Sequence, residues 1–147
     1  MEQQRETGVW QRVMATPGTE PSMGLAALVR ESAALEGVYR RTAEQQTGRG
    51  RQLAMELLEG ERSIREALLG IGQLSGSPQE NIRNWEPGNP GQLRSCYRRS
   101  CRCRAEYLAR SLEPEYGEVY RQLAEQAGHN CGLLARLMGI LGNNGKR

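Results

Sequence analysis

The residues that could do chemistry in this chain fall at helical spacings, and most are the wrong kind for strong catalysis. Glu61 sits among Ala54, Leu57, Ile64, Leu68 and Ile71, on what would be the apolar face of a helix. Ser32 and Tyr39 lie seven residues apart, as do Ser100 and Tyr107. Seven residues are two helical turns, so each pair faces one way. Ser32, Ser100, Ala127 and Asn130 occupy places where large apolar side chains would pack a helical bundle better. A buried carboxyl among hydroxyls either ionises and accepts hydrogen bonds or stays neutral with a raised pKa. Ser32, Ser100, Tyr39 and Tyr107 are the donors in reach of Glu61, and a polar core with ordered water, a small-ligand site or a mononuclear metal site would each use them.

The four cysteines are Cys96, Cys101, Cys103 and Cys131. They lack the paired C-x₂-C spacing of a structural zinc site. Cys96, Cys103 and Cys131 fall on inward stripes, so they read either as small buried hydrophobes or as redox thiols. Antiparallel packing of the last two helices brings Cys131 toward the Cys96 end. Cys101 is expected to face outward and to be the more reactive thiol. His129 is the only histidine, which rules out a metal centre built from several imidazoles of one chain.

These residues need helices to position them. Leu, Ala, Glu, Gln and Arg are abundant, β-branched and aromatic residues scarce, and Phe absent, which favours helix over sheet. The first long helix is expected from a cap at Ser22, with the inward stripe Leu25, Leu28, Ser32, Leu35, Tyr39 and Ala43. TGRG at 47–50 breaks it, and a second helix runs from about Arg51 to Leu74. Residues 75–91 are rich in turn-formers and carry three prolines. Extended at about 3.3 Å per residue, they can cover the length of a neighbouring helix. A third helix is expected over Gln92–Leu112, with Leu93, Cys96, Tyr97, Cys103 and Tyr107 inward. A fourth follows to about Leu141, with Tyr120, Leu123, Ala127, Cys131, Leu134 and Met138 inward.

The chain therefore divides into an N-terminal segment, 1–21, a bundle, 22–141, and a polar tail, 142–147. The N-terminal segment holds a short helix over Glu6–Met14 with Val9, Trp10 and Val13 on one side. Ile82 and Trp85 would pack the linker down. The fold class is all-α: two antiparallel hairpins joined by a long crossover, a four-helix bundle of ferritin-like connectivity. No apolar run reaches the roughly 18 residues of a membrane span, and no signal peptide is evident, so a cytoplasmic protein is expected. A net charge of +3 does not demand an anionic partner. The run Arg94, Arg98, Arg99, Arg102 and Arg104 has no aromatic platform on its face, so pairing with glutamates is expected rather than nucleic-acid binding. Gly132 and Gly139 would permit close helix approach or a dimer interface.

The two hairpins also repeat one another. ESAALEGVYRRTA and CYRRSCRCRAEYLARS correspond, as do LLEGERSIREALLGI and EPEYGEVYRQLAEQAGHNCGLL. Over about residues 25–141 this pattern resembles the rubrerythrin-type branch of the ferritin-like superfamily. There each hairpin carries a Glu, a Tyr seven residues on, and an E-x-x-H on the next helix. The resemblance implies a di-iron site at Ser32, Glu61, Ile64, Ser100, Ala127 and Asn130, of which Glu61 alone is a ligand type, a vestige. His129 is one residue out of register, about 100° from the ligand direction. Three functions follow as expectations. The first is a non-enzymatic member that has lost its di-iron site and has a structural or interaction role, as a homodimer or with another protein, and without a cofactor. The second is an iron-dependent peroxide reductase or iron oxidase whose missing ligands come from another chain or another register. The third is a thiol redox sensor using Cys96, Cys103 and Cys131.

Overall fold

The computed structural model describes residues 23–76 and 93–145. Among them are four helices and no strand: α1 (Leu25–Gln45), α2 (Gly48–Ser75), α3 (Leu93–Arg110) and α4 (Gly117–Gly145). The short helix expected over Glu6–Met14, the Ser22 cap and most of the linker, with Ile82 and Trp85, lie outside the described residues.

Helix ends follow local chemistry and correct several expected boundaries. Gly24, in extended backbone, caps α1, and its carbonyl accepts from Leu28 N at 3.1 Å. Gln46 closes the other end by donating to the Thr42 carbonyl at 3.0 Å. The chain reverses within two residues, and α2 starts at Gly48 rather than Arg51. Gly48 has φ +58°, a left-handed backbone that glycine adopts without a Cβ penalty. Gly76 (φ +71°) ends α2 in the same conformation. Between α3 and α4, Gly117 N donates to Glu113 O at 3.1 Å. A Cβ on Gly117 would run into the Ser111 carbonyl oxygen, so only glycine fits that turn. At the other end of the chain α4 runs on to Gly145, past the expected end near Leu141.

Two apolar clusters fix the directions of the helices. One joins Leu28 and Val29 of early α1, Ile64, Leu68 and Ile71 of late α2, Cys103 and Tyr107 of α3, and Tyr120, Leu123 and Ala127 of early α4. The other joins Leu35, Tyr39 and Ala43 of late α1, Leu53 and Leu57 of early α2, Cys96 of α3, and Leu134 and Leu137 of late α4. So α1 runs with α4, and α2 runs with α3 in the opposite sense. The helices neighbour one another as α1 with α2, α3 with α4, α2 with α4 and, more lightly, α1 with α3. Helix α2 ends at one cluster while α3 begins at the other. Between the clusters, in the sequence of every helix, comes a buried polar residue: Ser32, Glu61, Ser100 and Asn130. No helix of the described residues is long and apolar enough to cross a membrane.

Candidate site in the buried polar layer

All six positions singled out by the family pattern are buried: Ser32, Glu61, Ile64, Ser100, Ala127 and Asn130, none more than 3% exposed. Ile64 and Ala127 belong to the first apolar cluster. The other four form the polar layer. Ser32 Oγ donates to the Glu61 backbone carbonyl at 3.3 Å, tying α1 to α2. Across the layer, Gly60 lets α4 come close. A Cβ there would lie 2.6 Å from Asn130 Oδ1 and 2.5 Å from Gln126 Nε2. Asn130 Oδ1 already accepts from Gln126 Nε2 at 3.1 Å, while its own Nδ2 has no hydrogen-bond partner. His129 is exposed, so the register that turns Asn130 inward turns the histidine out.

Glu61 is fully enclosed, and its acidity follows. Burial pushes its pKa from 4.5 up to about 8. The Glu36 carboxylate nearby adds to the shift, the Ser32 hydroxyl offsets part of it, and Glu31 adds a little. Glu61 is therefore a mostly neutral acid at pH 7. Burial, then the neighbouring Glu61, Cys96 and Cys131, hold the Tyr39 phenol well above its ordinary value, and its hydroxyl has no hydrogen-bond partner. Tyr107 is also raised, by burial and by the neighbouring Cys103 and Glu61. Burial pushes Cys96 up to about 11 and raises Cys103 further.

The thiols correct the expected pairing. Cys131 meets Cys101 rather than Cys96, with the two sulfurs 3.6 Å apart. Cys101 is exposed, as expected, and all four cysteines are free thiols. The reason is register. Arg104 of α3 covers Gly128 of α4, and three residues back along α3 and three on along α4 stand Cys101 and Cys131. The turn between the helices sets this offset, and helical periodicity does not encode it. Tyr97, placed on the inward stripe by spacing, is 37% exposed, because Cys96 beside it takes the inward position.

Several ionic contacts were not legible in the helical pattern. Glu36 is 4% exposed and is gripped by Arg65 through Nε at 2.6 Å and Nη2 at 3.2 Å. Arg62 at 3.6 Å and Arg40 at 3.5 Å complete its shell. Glu31 takes Arg99 in the same two-pronged way, at 2.8 and 2.9 Å, binding α1 to α3. Arg99 thus pairs with a glutamate as expected, whereas Arg94, Arg98, Arg102 and Arg104 are exposed. Glu106 is buried and accepts from Met23 N at 3.4 Å, and Arg110 Nη2 donates to Met23 O at 2.6 Å. A glutamate next to an arginine one helix away would have been the signal, but it needs the helix pairing first. In comparison with known proteins, the chain matches no family model, no curated protein and no solved structure.

Proposed function

We propose that this protein is a ferritin-like bundle of the rubrerythrin type that no longer does di-iron chemistry and acts in the cytoplasm as a structural or interaction protein, through self-association or another protein. One observation carries this reading: the six family ligand positions are all buried, and four of them form a polar layer across the bundle. The running directions of the helices, with α2 and α3 parallel, support the ferritin-like connectivity.

The residues present do not fit a pair of irons. Such a site takes four carboxylates and two imidazoles from the helices. Here, of the six positions, Glu61 alone carries a carboxyl and none carries an imidazole. Asn130 Oδ1 is already engaged by Gln126, and Ile64 and Ala127 have no donor atom. Anaerobic protein incubated with ferrous iron, desalted and measured by elemental analysis tests the reading. Only a trace of iron per chain is expected. A pair of irons per chain would overturn the reading and mean that a second chain completes the site.

A further inference from the structure

The Cys101–Cys131 contact lies outside the polar layer's ligand positions and joins two different helices. We propose that this pair is an oxidation site: a hydroperoxide converts it to a reversible disulfide that ties α3 to α4. The two sulfurs are in van der Waals contact at 3.6 Å, so a modest side-chain rotation brings them to a bond of about 2.05 Å. Their exposures divide the labour. Cys101 is open to solvent and meets the oxidant; Cys131, 9% exposed, is shielded and follows. Around them stand the buried Ser100, next to Cys101 in α3, and the Arg104 side chain, which covers Gly128 about one turn before Cys131. Burial pushes the Cys131 thiol up to about 11; Ser100 and the Arg104 charge act against that rise, and Cys101 adds to it. Cys96 and Cys103 are buried in the two apolar clusters.

The reaction balances in two steps. The Cys101 thiolate attacks the peroxide: an S–O bond forms, the O–O bond breaks, and the leaving oxygen takes a proton as water or alcohol. Cys101 is oxidised to a sulfenic acid and the peroxide is reduced. The Cys131 sulfur then attacks the Cys101 sulfur. The S–S bond forms, the S–O bond breaks, and hydroxide leaves as water with the Cys131 proton. A dithiol reductant reverses the change by exchange.

Trypsin can read the outcome, because cleavage after arginine puts the four cysteines in four peptides: Ser95–Arg98, Ser100–Arg102, Cys103–Arg104 and Gln122–Arg136. Full-length reduced protein is treated with hydrogen peroxide, alkylated under denaturing conditions, weighed intact and digested. The expected result is a fall from four alkylatable thiols to two in the monomer. Ser100–Arg102 should be joined to Gln122–Arg136, and dithiothreitol should restore all four. Cys101→Ser and Cys131→Ser should each abolish the link, and Cys96→Ser should keep it. Retention of four thiols, a link to Cys96 or Cys103, or a Cys101–Cys101 dimer would overturn the proposal. The wild-type map decides even if the Cys131 variant does not fold.

Discussion

Glu61 carries a proton into the core, and that proton makes stability depend on pH. Below pH 4.5 the carboxyl is protonated in the folded and the unfolded chain alike and contributes nothing. Between 4.5 and about 8 the unfolded chain releases the proton while the folded protein keeps it. Folding therefore loses about 1.4 kcal/mol per pH unit over that window, and the loss levels off above it. Glu61→Gln removes the ionisation and keeps the shape. The variant should be more stable than the parent at pH 7, by roughly 3 kcal/mol, and the two should converge near pH 4.5. Urea unfolding across that range checks it; a difference that does not change with pH would contradict it. A core tyrosine makes a second test. The buried Tyr39 hydroxyl has no hydrogen-bond partner. Tyr39→Phe should therefore leave the melting temperature unchanged or raised.

Close approach between helices is a matter of a few atoms. Alanine is worth about 1 kcal/mol more than glycine in a helix interior. At Gly70 a Cβ meets nothing within 4 Å, so Gly70→Ala should stabilise by about that amount. At Gly60 the same methyl presses on Asn130, a fully buried side chain whose oxygen is already bonded. Gly60→Ala should therefore lose about 1–2 kcal/mol despite its better propensity. Thermal unfolding of both variants checks the opposite signs. This contrast also marks how far the sequence could be read. The period of apolar residues identified the buried stripes of all four helices, with Ser32, Glu61, Ser100 and Asn130 among them, because a helix with one buried face has only one such period. It misplaced Tyr97, since a stripe drawn at every third and fourth residue is wider than the contact. The offset between α3 and α4, hence the Cys101–Cys131 contact, depends on the turn at 111–116. The burial of Glu36 depends on Arg65 from another helix. Neither is a property of one helix's pattern.

Both apolar clusters draw on all four helices, so no part of the core belongs to a single hairpin. Leu68 and Leu137 lie in different clusters and are fully buried. Each, cut to alanine, should lose about 2–4 kcal/mol, and the double variant should show the sum in one transition. Two separate unfolding steps, each sensitive to one variant, would mean that the clusters melt independently. The shared cores bear on a divided chain. A cut between Gly76 and Leu93 would separate α1 and α2 from α3 and α4, leaving each fragment half of both cores. Neither fragment would hold a helical structure alone. Mixed in equal amounts they would recover it together, as a noncovalent heterodimer whose helical signal rises with concentration.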